Sequence, residues 1–153
     1  MNKKVLLTGI SGYIGLHCAK ILLEKGYTVV GTVRSANKEE EVIKTLNSNS
    51  ISIENLSFTH LDLGSDNGWD SALSNCDYVM HIASPFTVEN PKNEEDMLGP
   101  AVDGTLRVLK AAKKNGIKRV VLTSSTVAIM GGKKTGILKP EDWTDLNSKN
   151  IST

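Results

Sequence analysis

The chain has 153 residues, and 39% are apolar before its 13 glycines are counted, which is material for one buried core and leaves little room for a second. Eighteen Lys and Arg against seventeen Asp and Glu leave a formal charge of +1, so no global field exists to recruit nucleic acid or an anionic membrane, and any anion site must be local. No apolar run reaches membrane-spanning length: the one after Met1-Asn2-Lys3-Lys4 breaks at Thr8-Gly9, and the protein reads as soluble and cytoplasmic. Cys18 and Cys76 make neither a metal spacing nor a disulfide framework and read as reduced, structural thiols; no metal site is expected.

Residues 4–8 form a short apolar run that reads as a buried strand. A glycine-rich turn follows, Thr8-Gly9-Ile10-Ser11-Gly12-Tyr13-Ile14-Gly15, and then a helix in which Ile14, Cys18, Ile21 and Leu22 recur on one face until Gly26 stops it. Residues 27–33 are β-branched and make a second strand, reached by a crossover of the right length for a parallel βαβ unit. A charged helix over 37–46 carries Val42, Ile43 and Leu46 on one side and ends in the polar loop 47–50. Residues 56–61 alternate as a third strand, closed by Asp62-Leu63-Gly64. A short helix, Trp69–Leu73, leads to a fourth strand over 77–83. The longest helix spans 94–115, acidic at its start and Lys-rich at its end, with Pro100 expected either to kink it or to mark its first turn. A fifth strand over 118–124 precedes a loop-like end. Five strands alternating with four helices predict an α/β open parallel sheet, doubly wound in the order 3-2-1-4-5, with its switch point between strands 1 and 4.

The chemistry-bearing residues fall at the carboxyl ends of those strands. Glycines at 9, 12 and 15 let the backbone turn tightly and approach a pyrophosphate, while the helix behind them offers unpaired N–H groups. A Gly-x-x-Gly-x-x-Gly also occurs in unrelated turns; here it follows a strand and opens a helix, the context of a dinucleotide site. Arg34 stands directly after strand 2, where an acidic residue would read a ribose 2′-hydroxyl. A guanidinium there offers charge and donors to a 2′-phosphate, with Lys38 as a second cation, which favours NADP(H) over NAD(H). Both also read as solvated surface charges. Asp62 can accept from an adenine amino group or simply serve the turn. Ala83-Ser84-Pro85-Phe86 ends strand 4 with small residues beside a cofactor path and a ring for an apolar substrate. Thr123-Ser124-Ser125-Thr126 ends strand 5 with hydroxyls that can bind a carbonyl oxygen or cap a helix. His17, His60 and His81 form no ligand set and read as packing or surface residues.

With these motifs in place the chain resembles the extended short-chain dehydrogenase/reductase family, in the branch of dihydroflavonol, cinnamoyl-CoA and methylglyoxal or aldehyde reductases. The resemblance rests on Thr8-Gly9-x-x-Gly12-x-x-Gly15, Thr32-Val33-Arg34, His60-Leu61-Asp62-Leu63, His81-Ile82-Ala83-Ser84-Pro85-Phe86, Pro100-Ala101-Val102-Asp103-Gly104-Thr105 and Arg119-Val120-Val121-Leu122-Thr123-Ser124-Ser125. It implies a Rossmann-type domain over 1–153 in which Gly9, Ser11, Gly12, Tyr13, Ile14 and Gly15 hold the pyrophosphate and Arg34 and Lys38 the 2′-phosphate. Asp62 and Leu63 would flank the adenine. Ala83, Ser84, Pro85, Thr123 and Ser124 would line the cofactor path, Phe86 would face substrate, and Ser125 would be the catalytic serine, with Ser124 the fallback. The implied reaction is hydride transfer from the nicotinamide to an aldehyde or ketone, with a tyrosine of a Tyr-x-x-x-Lys motif as general acid. That motif is missing: the only tyrosines are Tyr13, Tyr27 and Tyr78. The expectation is therefore an amino-terminal, cofactor-binding portion that lacks the last strand and the substrate subdomain and is inactive by itself. It would bind a dinucleotide and no nucleic acid or membrane, with a possible homodimer through helix 94–115. Two other readings remain: a non-catalytic NADP-binding sensor, and a nucleotide-sugar epimerase or dehydratase.

Overall fold

The computed structural model describes residues 2–85, 93, 95–132 and 136–149. The chain divides into two compact units, residues 1–122 and 123–153. The first contains β1 (Lys4–Thr8), α1 (Tyr13–Glu24), β2 (Thr28–Val33), α2 (Ala36–Ser48), β3 (Leu56–His60), α3 (Trp69–Leu73), β4 (Tyr78–His81), α4 (Glu95–Lys114) and β5 (Arg119–Leu122). Its five strands form one parallel sheet in the order β3-β2-β1-β4-β5, as the alternation of strand and helix patterns predicts.

β1 lies at the centre, with Leu6 opposite Val30 on one side and Val79 on the other. Successive side chains of a strand point to opposite faces, and here both faces are covered. Leu6, Val30 and Val79 pack with Trp69, Leu73 and Val108 of α3 and α4. Leu7, Val29 and Val33 pack with Ala19, Leu23 and Val42 of α1 and α2. Burial on both faces explains why these strands read as continuous apolar runs.

Several helix faces differ from the periodicity reading. The buried residues of α1 are Gly15, Ala19 and Leu23, while Ile14 and Ile21 are about half exposed, at 53% and 51%. The helix is rotated because Gly15 packs into the glycine turn: a Cβ there would lie 2.0 Å from the Gly9 carbonyl oxygen. In α4, where Met97, Leu98, Ala101, Val102, Leu106, Leu109 and Ala112 recur at helical spacing, the buried residues are Gly104, Val108, Ala111 and Ala112, and Met97, Leu98, Val102 and Leu106 are exposed. Pro100 is the sixth residue of α4, past the first turn, and because proline has no N–H the Asp96 carbonyl loses its i+4 donor there.

α2 runs to Ser48 rather than ending at 46, because the polar stretch after it forms a helix cap. Ser50 adopts a left-handed φ of 59°, its N–H bonds the Asn47 carbonyl and the Ile51 N–H bonds the Leu46 carbonyl. This is the arrangement in which glycine usually closes a helix, and Gly26, at φ 77°, closes α1 in the same way. In the second unit, where a loop is expected, Val127–Met130 form a short fifth helix, α5. Thr144 holds it locally, bonding the Val127 carbonyl and the Gly131 and Ala128 backbone.

Candidate cofactor-binding site

The glycine turn is built by three glycines with three different constraints. Gly9 has φ 71°, and a Cβ on it would meet the Ala83 nitrogen at 2.9 Å. It thus needs both a left-handed backbone and close contact with the end of β4. Gly15 is excluded from substitution by the Gly9 carbonyl, as above. Gly12 is different: its φ is −83°, and a Cβ would meet only the Gly9 oxygen, at 3.4 Å. The fold has room for a side chain at residue 12, on an exposed surface.

α1 begins immediately behind this surface. Gly12 donates its N–H to the Gly9 carbonyl at 3.0 Å, and the first helical bond is from the Leu16 N–H to the Gly12 carbonyl at 2.9 Å. The amides of Tyr13, Ile14 and Gly15 therefore stand ahead of the hydrogen-bond ladder, at the positive end of a 12-residue helix. Ser11 and Tyr13 are exposed beside them, and the Tyr13 ring meets His17 edge-on, at 4.7 Å between centroids.

The other expected residues of the first unit take the following places. Arg34 follows β2 and is exposed, just ahead of Ser35, the N-cap of α2. Lys38 is committed to an ion pair with Glu41 at 2.6 Å, and Glu39 pairs with His60 at 3.3 Å. Asp62 Oδ1 accepts the Gly64 N–H at 2.7 Å, so it makes a turn. Leu63 packs under α4 against Gly104. Ala83 is half-buried with its N–H on Thr8 Oγ1. Ser84 is exposed and Pro85 half-buried; Phe86 lies outside the described residues.

Thr123, Ser124 and Ser125 are exposed at the start of the second unit. There Ser125 Oγ accepts the Val127 N–H at 3.3 Å, a local cap of the kind serine commonly makes.

Sequence reasoning missed three supports. Arg107 of α4 bonds the Leu63 carbonyl and pairs with Asp66, tying the loop after β3 to the helix beneath it. Asp77 accepts the Lys4 N–H at 3.0 Å and pairs with Lys118 at 2.6 Å, and Lys118 followed by the Lys4 bond holds its carboxyl below the ordinary value. Thr8 reaches His81 at 2.7 Å and the amides of Ile82 and Ala83. Each joins residues more than 40 apart, and no local spacing signals it.

Burial raises the thiol pKa of Cys18 and Cys76 and lowers that of the His81 ring. The described residues contain no cluster of three candidate metal ligands and no helix long and apolar enough to cross a membrane. A cavity of about 450 Å³ lies at the opposite, amino-terminal ends of the strands, between Tyr27, Tyr78, Lys118 and Arg119. In open parallel sheets ligands bind at the carboxyl ends beside the switch point; here that end carries the glycine turn, so the cavity is not the candidate site.

A parallel sheet with its switch point between β1 and β4, and a glycine turn opening a helix at that point, define a Rossmann-type dinucleotide-binding domain. The profile of the NAD dependent epimerase/dehydratase family matches residues 5–150, and the chain belongs to this family, the extended short-chain dehydrogenases/reductases. It is 44% identical over 99% of its length to an uncharacterized oxidoreductase of Schizosaccharomyces pombe, covering 46% of that protein. It is 39% identical over 82% of its length to tetraketide alpha-pyrone reductase 1 of Arabidopsis thaliana, covering 39% of it. The crystal structure of Gre2 from Candida albicans in complex with NADPH superposes with a TM-score of 0.79 at 36% identity, over 94% of this chain and 44% of that one. The chain thus spans less than half the length of these relatives, which are oxidoreductases.

Proposed function

We propose that the chain is the NADP(H)-binding portion of an oxidoreductase that reduces an aldehyde or ketone. The observation that carries the cofactor reading is Gly12: the fold does not require glycine there, and close approach of a ligand does. The pyrophosphate fits against the free amides of Tyr13, Ile14 and Gly15, with Gly9 and Ser11 completing the turn. Arg34 makes no ion pair among the described residues, so its guanidinium is available to a 2′-phosphate. Lys38 is a weaker candidate because it already pairs with Glu41 at the surface. Leu63, fixed by Arg107, and Asp62 flank the adenine, and Ala83, Ser84 and Pro85 line the way to the nicotinamide; Thr123 and Ser124 of the second unit are assigned to the cofactor by the family resemblance alone. NADPH in the Candida albicans complex supports the same cofactor here.

When bound, the nicotinamide supplies the hydride. Ser125 would donate a hydrogen bond to the substrate carbonyl and stabilise the developing alkoxide. To do so its hydroxyl proton must point to substrate, which is compatible with accepting the Val127 N–H. With no Tyr-x-x-x-Lys in these 153 residues, the chain alone lacks the family's proton donor and should bind cofactor without turnover.

The test has two arms. Titration of the chain with NADPH and NADH should show NADPH bound about tenfold or more tightly, a difference of about 1.4 kcal/mol, and Arg34→Glu should remove the preference. Equal affinities, or no loss in the variant, would contradict the 2′-phosphate assignment. Reduction of an aldehyde by the 153 residues with NADPH would contradict the division between binding and turnover.

A further inference from the structure

The inner wall of the glycine turn holds a titratable side chain that the cofactor reading leaves unused. His81 ends β4, is 1% exposed and lies opposite Thr8 in the register of β1 and β4. Its Nδ1 stands 2.7 Å from Thr8 Oγ1, and that oxygen also accepts the backbone N–H groups of Ile82 and Ala83, each at 3.1 Å. A threonine hydroxyl has one proton and two lone pairs. The two amides occupy the lone pairs, so the proton must go to Nδ1, which is then an unprotonated acceptor. The ring is neutral with its proton on Nε2, for which the described residues offer no partner. The other tautomer would aim three donors at one oxygen and leave the hydroxyl proton without an acceptor.

The arrangement has a structural purpose. β1 turns away at Gly9 and the pairing of β4 with both of its neighbours ends at His81, so the Ile82 and Ala83 amides lie past the ladder and the Thr8 hydroxyl takes them instead. It does so where tolerance is small, because a Cβ on Gly9 would already lie 2.9 Å from the Ala83 nitrogen.

We propose that His81 is a positioning residue for the cofactor cradle: its Nδ1 orients the Thr8 hydroxyl, which holds the Ile82 and Ala83 amides and keeps Ala83 against Gly9. The effect on cofactor rests on the reading of the glycine turn as the NADP(H) site, whereas the tautomer stands independently of it.

The tautomer is read from imidazole nitrogen NMR shifts of the cofactor-free chain at neutral pH. His81 should show an unprotonated Nδ1 and a protonated Nε2; a protonated Nδ1 would overturn the proposal. The role is then read from NADPH titrations of folded variants. His81→Asn keeps an acceptor near the Nδ1 position and should stay within about threefold of the native affinity, whereas His81→Leu should weaken NADPH by about tenfold. In a Thr8→Val background His81→Leu should add little further loss, because its partner is already gone. A merely structural role would weaken Asn and Leu variants alike, and that result, or native affinity in His81→Leu, would overturn the positioning role. Should His81→Leu not fold, Thr8→Ser, expected near native, against Thr8→Val, expected about tenfold weaker, decides the same point. If the native chain binds no NADPH, the cofactor reading fails and the positioning role with it, even if the tautomer is as described.

Discussion

Alanine at Gly12 and at Gly15 should separate ligand binding from folding within one turn. At Gly15 the new methyl would sit 2.0 Å from the Gly9 carbonyl oxygen and 2.9 Å from the Ile10 Cα, both backbone atoms. The start of α1 would have to move by more than an ångström, away from a turn that Gly9 pins to Ala83. Overpacking costs about 1–3 kcal/mol where side chains can yield, and here none can, so a loss of about 3 kcal/mol or more is expected. For a chain of this size that lowers Tm by about 6–12 °C. At Gly12 the methyl meets a single oxygen at 3.4 Å with φ at −83°, and the remaining cost is that of alanine at an N-cap, about 1 kcal/mol or less. The same methyl would intrude where the pyrophosphate must approach, and NADPH affinity should fall by about tenfold or more. Thermal unfolding and NADPH titration of both variants decide the matter. Native NADPH affinity in Gly12→Ala, or a loss of stability equal to that of Gly15→Ala, would refute the assignment of separate tasks to these glycines.

Other substitutions test the supports. Ser50→Gly relieves a left-handed φ of 59° and should raise stability by about 0.5–1 kcal/mol, measured by urea unfolding. Arg107→Ala frees the Leu63 carbonyl and Asp66; amide exchange in residues 62–66 should quicken, with NADPH affinity reduced. The Asp77 carboxyl titrates below the ordinary 3.8 because of its bonds to Lys118 and Lys4. A depressed folded-state pKa contributes stability that is present above the unfolded value and is lost as pH falls through the folded one. As pH falls below the ordinary carboxylate range, the Tm of Asp77→Asn should therefore fall less steeply than that of the native chain.

The order of the sheet was legible because parallel strands buried on both faces leave unbroken apolar runs, and helices between them leave no other economical connection. Strand ends were not: residues 82–83 continue an apolar pattern, but β1 has turned away by then and a side-chain hydroxyl takes over its bonding. Helix faces failed for a related reason. Periodicity counts large apolar residues, whereas α1 is oriented by Gly15 and α4 by Gly104, Ala111 and Ala112. At the candidate site, the glycine turn and Arg34 stand out as local patterns in the sequence. Thr8 with His81, Leu63 with Arg107, and Lys4 with Asp77 join distant segments, and only the fold brings them together.

The site itself is tested most directly by amide and guanidinium NMR shifts of the chain on adding NADPH, then NADH. The amides of Tyr13, Ile14 and Gly15 should respond to both, and Arg34 Nε to NADPH alone. Shifts centred on Tyr27, Tyr78, Lys118 and Arg119 at the other end of the sheet, or an Arg34 Nε equally sensitive to both cofactors, would contradict the assignment of the glycine turn and Arg34 as an NADP(H) site.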